Sequence, residues 1–146
     1  MKTLKSISDL ARVLEQNAKP VQAALAGAMK SSAIAVAEAA RDELDGKDKP
    51  QNWPDLSAAT KVEHARKGYD ENAPLQGNGA LRDSIQYRSS EKSFEVGSDS
   101  QIAVYQELGT ATIPPRPFLE PAMHRLIPII LETVGKAIEK SLAGEK

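Results

Sequence analysis

A chain of 146 residues, 40% hydrophobic and 27% charged, has the size and balance of one soluble domain with a moderate core. Its net charge of −1 is spread over the whole length, with no basic footprint, which speaks against a nucleic-acid binder. It has no cysteine, which excludes disulfides, thiol nucleophiles and thiolate metal sites and suits a reducing cytosol.

The N-terminus holds Lys2 and Lys5 but no apolar run of signal-peptide length. No stretch nears the ~18 apolar residues of a membrane span. Aromatics are only 4%, so the core must come mainly from Ala, Leu, Ile and Val.

The first helical piece is expected over about 6–18. Ser6 with Asp9 makes a weak capping box, and Ile7, Leu10, Leu14 and Ala18 recur at helical spacing. Pro20 then interrupts, as a kink or as the start of a new helix. The pattern resumes over 21–44. Val21, Leu25, Ala28, Ser32, Ala35 or Val36, and Ala39 form a stripe of small residues suited to close packing, on the chain's own sheet or on a neighbouring subunit.

Residues 45–52 are polar and turn-rich, so the helix stops there. Trp53 follows as a hydrophobic anchor for the loop. Ser57 is placed to cap a short helix over about 58–67. Residues 68–80, rich in Gly, Asn and Pro, read as a long irregular loop and a candidate for mobility. Leu81 to Ile85 leads by a tight turn into a strand. Ile85 and Tyr87, then Phe94 and Val96, alternate with polar neighbours on either side of residues 89–92, a hairpin signal. Ile102, Ala103, Val104 and Leu108 are expected as a short buried piece, helical or extended, closed by Gly109 as a left-handed residue.

Residues 105–121 are the most specified stretch. They contain prolines 114, 115, 117 and 121, with Pro128 just beyond. The last helix is expected from about Pro117 to Leu142, with Glu120 complementing its dipole. Leu119, Met123, Leu126 or Ile127, Ile130, Val134, Ile138 and Leu142 form its apolar stripe. Pro128 should kink it. An Arg116–Glu107 pair would lock the connector within one subunit or bridge two.

The sequence contains little that reads as a catalytic constellation. His64 and His124 lack the spacing of a metal site, and both read as surface or packing residues. No Gly-x-Ser-x-Gly elbow occurs. Gly77-Asn78-Gly79 lacks the Lys-Ser/Thr of a phosphate loop. The expectation is therefore no cofactor, no metal and no catalytic residue. The alternatives are a small enzyme with a site near Glu63 and His64, and a nucleic-acid accessory protein.

Five motifs occur in a fixed order. They are Trp53-Pro-Asp-Leu-Ser57-x-x-Thr60, Asn78-Gly79-x-Leu81-Arg82-x-Ser84-Ile85, Val96-Gly97-Ser98, Tyr105-x-Glu107-x-Gly109-Thr110 and Ile113-Pro-x-Arg116-Pro-Phe-Leu119. Over residues 53–123 the series resembles the tail-completion or minor tail-component proteins of tailed bacteriophages, including the Mu-type virion morphogenesis proteins. That resemblance implies a non-enzymatic structural protein, encoded by a phage or prophage. It would finish the tail or join it to the head at the neck, as an oligomeric ring. The partners implied are further copies of the chain and tail-tube or connector proteins, with no membrane and no sequence-specific nucleic acid. The location implied is the virion tail or neck, after assembly in the bacterial cytoplasm. Glu107, Gly109, Thr110, Arg116 and Phe118 are the expected partner or subunit interface.

The expected fold is α+β in one domain over 1–146. Residues 1–44 form a helical part, 53–123 the family-like core and 117–142 the terminal helix. A small antiparallel sheet, built on the 84–98 hairpin with edges near 102–115, should pack on the N-terminal and C-terminal helices.

Overall fold

The computed structural model describes residues 7–47, 50, 52–70, 73–75 and 77–144. The capping box at Ser6 lies outside them, as do the side chains of Leu10 and Leu14. The architecture is α+β: a long N-terminal helix, a C-terminal helix and a two-stranded antiparallel sheet.

Helix α1 spans Ile7–Leu44 and continues through Pro20. At 38 residues it is about 57 Å long at 1.5 Å per residue. Pro20 cannot donate to the carbonyl of Gln16. Both residues lie on an exposed turn, where water can serve that carbonyl. The two expected pieces are therefore one helix.

Its buried face consists of Ala28, Ser32, Ala33, Val36, Ala37, Ala40, Glu43 and Leu44. The small-residue stripe is correct at 28, 32 and 36. Beyond them the face turns, leaving Ala35 exposed and Ala39 half-buried. The cause is the hairpin, which packs on α1 beside the C-terminal helix and widens the covered sector.

Helix α2, Ala58–Lys67, buries no residue. Its ends hold it. The Ser57 hydroxyl accepts from the Thr60 amide at 3.2 Å, and Gly68 closes it at φ 71°. The short α3, Ala80–Asp83, buries Leu81. Arg82 Nε donates to the Asp45 carboxylate at 2.9 Å and ties α3 to the segment after α1.

Strands β1, Ile85–Ser89, and β2, Phe94–Ser98, pair antiparallel with Tyr87 opposite Val96. The loop between them closes through the Ser90 amide on the Ser93 carbonyl at 2.8 Å. Arg41 Nη2 donates to the Ile85 carbonyl at 2.6 Å, pinning the hairpin to α1.

Two expectations fail after the hairpin. Residues 101–108 form helix α4, Gln101–Leu108, and residues 109–118 are irregular, so the sheet gains no edge strand there. Ile102 and Val104 read as β-formers, but Ala103, Gln106 and Glu107 share a helical face, and that face turns inward. Of the expected buried piece, only Ala103 is buried. Ile102, Val104 and Leu108 are exposed.

Helix α5, Leu119–Ala143, runs antiparallel along α1. Pro20 and Ala24 lie beside Ala137 and Ser141, while Glu43 faces Arg125 at 3.5 Å. Leu119, Leu126, Ile130, Val134 and Ile138 of the expected stripe are half-buried, but Met123, Ile127 and Leu142 are exposed. The helix continues through Pro128. The core gathers Ala37, Ala40, Leu44, Trp53, Leu81, Ile85, Ala103, Phe118 and Ala122. It is a small-residue core with two aromatic plugs, as the composition requires.

Candidate functional site: the connector between α4 and α5

The chain leaves α4 at Gly109, doubles back, and enters α5 at Phe118. Gly109 has φ 74° and ψ 176°. This is not the left-handed helical cap expected but an extended positive-φ conformation essentially confined to glycine. The return path lies directly over it. A Cβ there would sit 2.9 Å from the Ile113 carbonyl oxygen and 2.9 Å from Pro115 Cδ.

Thr110 builds the turn. Its amide donates to the Ile113 carbonyl at 2.9 Å. Its hydroxyl accepts from the Ile113 amide at 3.0 Å and the Thr112 amide at 3.3 Å. Such side-chain turns substitute for backbone pairing where no strand is available. The Arg116 amide then bonds back to the Gln106 carbonyl at 2.6 Å.

Glu107 reaches forward from α4 to the start of α5. Its Oε2 accepts from the amides of Phe118 at 2.8 Å and Leu119 at 3.0 Å, and its Oε1 from Glu120 at 2.9 Å. The next residue, Pro121, has no amide hydrogen. Every donor in the first turn of α5 is thereby satisfied or missing by chemistry. A negative carboxylate at this end also complements the helix dipole. Phe118 stands at the N-cap with no capping side chain of its own.

Arg116 turns the other way. Nε donates to the Pro54 carbonyl at 3.0 Å and Nη2 to the Asp55 carbonyl at 3.2 Å. The residue is buried, at 6% exposure. Burial lowers its pKa from the ordinary arginine value, and the Asp55 carboxylate opposes that shift. Trp53 adds a third strut, donating its indole N–H to the Pro117 carbonyl at 2.8 Å.

The expected Arg116–Glu107 pair is therefore not formed. Both charges are engaged by backbone groups instead, the carboxylate by α5 and the guanidinium by the loop before α2. Sequence proximity suggested the pair. The signal for the true arrangement was Phe118-Leu-Glu-Pro, a helix start with no Ser, Thr, Asp or Asn to cap it. Of the five expected interface residues, Phe118 and Arg116 are buried, Glu107 and Gly109 are half-buried, and Thr110 is exposed. Trp53 and its neighbouring carbonyls were not expected at this site.

The structure does not assemble Glu63 and His64 into a site. The Glu63 carboxylate accepts from Arg66 at 2.8 Å and lies 3.1 Å from Lys67, and these partners lower its pKa from the usual glutamate value. His64 packs edge-on against Tyr69, ring centres 5.5 Å apart. Among the described residues no group of three or more His, Asp and Glu is placed to hold a metal. No helix among them is long and apolar enough to cross a membrane.

The connector is a braced shape, and its parts are those of a structural protein of a phage particle. Residues 2–129 match the phage virion morphogenesis family, and the chain belongs to that family. No curated protein and no solved structure matches it.

Proposed function

We propose that the chain completes the phage tail or joins it to the head, without catalysis, as an oligomeric ring at the neck. The observation that supports this reading best is the family match over residues 2–129 joined to a connector braced from three directions. In this reading Glu107, Gly109, Arg116 and Phe118 fix the shape of the subunit interface, and Thr110 stands at its surface. The partners are further copies of the chain and a tail-tube or connector protein. The protein gathers in the host cytoplasm and ends in the tail or neck of the virion.

The test is genetic and visual. Disruption of the gene in a strain that produces the particle should leave tails and heads that do not join, and supply of the protein in trans should restore whole particles. Whole, infective particles from the disrupted strain would overturn the reading.

A further inference from the structure

Helix α4 is inside out. Successive residues turn by about 100°, so Ala103, Gln106 and Glu107 share one face while Ile102, Val104, Tyr105 and Leu108 share the other. The first face points inward. The second is exposed, from 43% at Tyr105 to 74% at Leu108. A surface helix ordinarily shows the reverse arrangement.

The surroundings extend this surface. From Ser100 to Pro115 the only charged residue is Glu107, and its carboxylate is spent on α5. In a chain that is 27% charged, such a stretch has the charge depletion of a protein interface core. It offers nothing to a partner recognised by charge. What covers it must itself be apolar and free of unpaired charge.

The same chain supplies such a surface. On α5, Ile127, Ile129 and Leu131 are exposed, Leu131 at 68%. The charges around them already have partners within the chain: Arg125 faces Glu43, Glu132 pairs with Lys136, and Glu120 faces His124. Leu131 stands twelve residues beyond Leu119, about 18 Å along the helix axis, away from the end where Glu107 holds α4. The two surfaces are distinct. Pairing two copies through one of them leaves the other exposed, whereas a head-to-tail contact covers both and repeats around a ring.

We infer that the outer face of α4 docks on the Ile127–Leu131 face of α5 in a second copy of this chain. The inference rests on the assembly reading above and names its contact.

The absence of cysteine gives a clean background for the test. Full-length Leu108→Cys and Leu131→Cys proteins, mixed and treated with a short bis-maleimide, should give cross-linked dimers far above either protein alone. Both positions are exposed, so folding is not at stake. Leu108→Lys should weaken self-association, and Leu131→Glu in the same chain should restore it. Cross-linking of Leu108→Cys with itself as strongly as in the mixture would overturn the head-to-tail contact. An oligomer whose mixture does not cross-link would overturn the chosen faces and leave the assembly reading intact. A protein that sediments as a monomer at every concentration and incorporates into no particle would overturn both.

Discussion

Trp53 donates its indole N–H to the Pro117 carbonyl, 2.8 Å away in space and 64 residues away in sequence. The bond joins the loop before α2 to the last residue before the α5 cap. Trp53→Phe keeps most of the ring's burial and removes the donor. It should cost about 1–3 kcal/mol, the penalty of leaving a poorly exposed carbonyl unpaired. Trp53→Ala should cost about 3–5 kcal/mol, because it also opens the core. Denaturant unfolding of the two variants separates the hydrogen bond from the packing.

Glu107 takes the place of a conventional N-cap. Glu107→Ala strands three amides, so the loss should lie near the top of the capping range, about 2 kcal/mol. Glu107→Gln keeps an acceptor but loses the charge and should fall between wild type and alanine. Hydrogen exchange at Phe118, Leu119 and Glu120 should rise in that order of variants. Equal protection in all three proteins would show that the carboxylate does not hold the helix start.

Gly109 is predicted to tolerate no side chain. Both its φ of 74° and the 2.9 Å approach of Ile113 and Pro115 oppose a Cβ. Gly109→Val should be disruptive, exceeding the ~1–3 kcal/mol of backbone strain alone. Gly97→Ala is the control, since a Cβ there meets nothing within 4 Å. Unchanged melting and assembly in Gly109→Val would show the turn to be ordinary.

The surface ion pairs give a weak acid dependence of known sign. Arg66 and then Lys67 lower the Glu63 pKa, and Lys136 lowers that of Glu132. A depressed carboxylate contributes stability that is present above its unfolded value and is lost as pH falls through the folded one. The stabilising difference between wild type and Glu63→Gln should therefore exist at neutral pH and vanish by about pH 3. Both groups are fully exposed, so the effect on the melting curve will be small.

Much of the fold was legible because it is local. The 58–67 helix is announced by Ser57 and Gly68, and the hairpin by alternation at 85–87 and 94–96. The long helices follow from their apolar spacing. Residues 101–108 misled because Ile102 and Val104 have strand character and α4 presents them outward, against the rule that apolar residues face the core. The connector was legible as special from its glycine and prolines, and its internal wiring was not. Arg116 bonds to Pro54 and Asp55, and Trp53 to Pro117. Such side-chain to backbone contacts across some sixty residues leave no periodic trace. The nearer match of Arg116 with Glu107 was the plausible pair and the wrong one.

That separation has an effect on how the particle should respond to its medium. Glu107 and Arg116 cancel in net charge, yet each is held by short bonds to backbone dipoles at 2.8–3.2 Å. Mobile ions screen over about 8 Å at physiological strength and act least on groups sheltered from solvent. The connector should keep its geometry from dilute buffer to strong brine, through conditions that weaken the exposed pairs on α2 and α5. A protein that must hold its form both inside a cell and in whatever water a released particle meets has its critical turn insulated from salt.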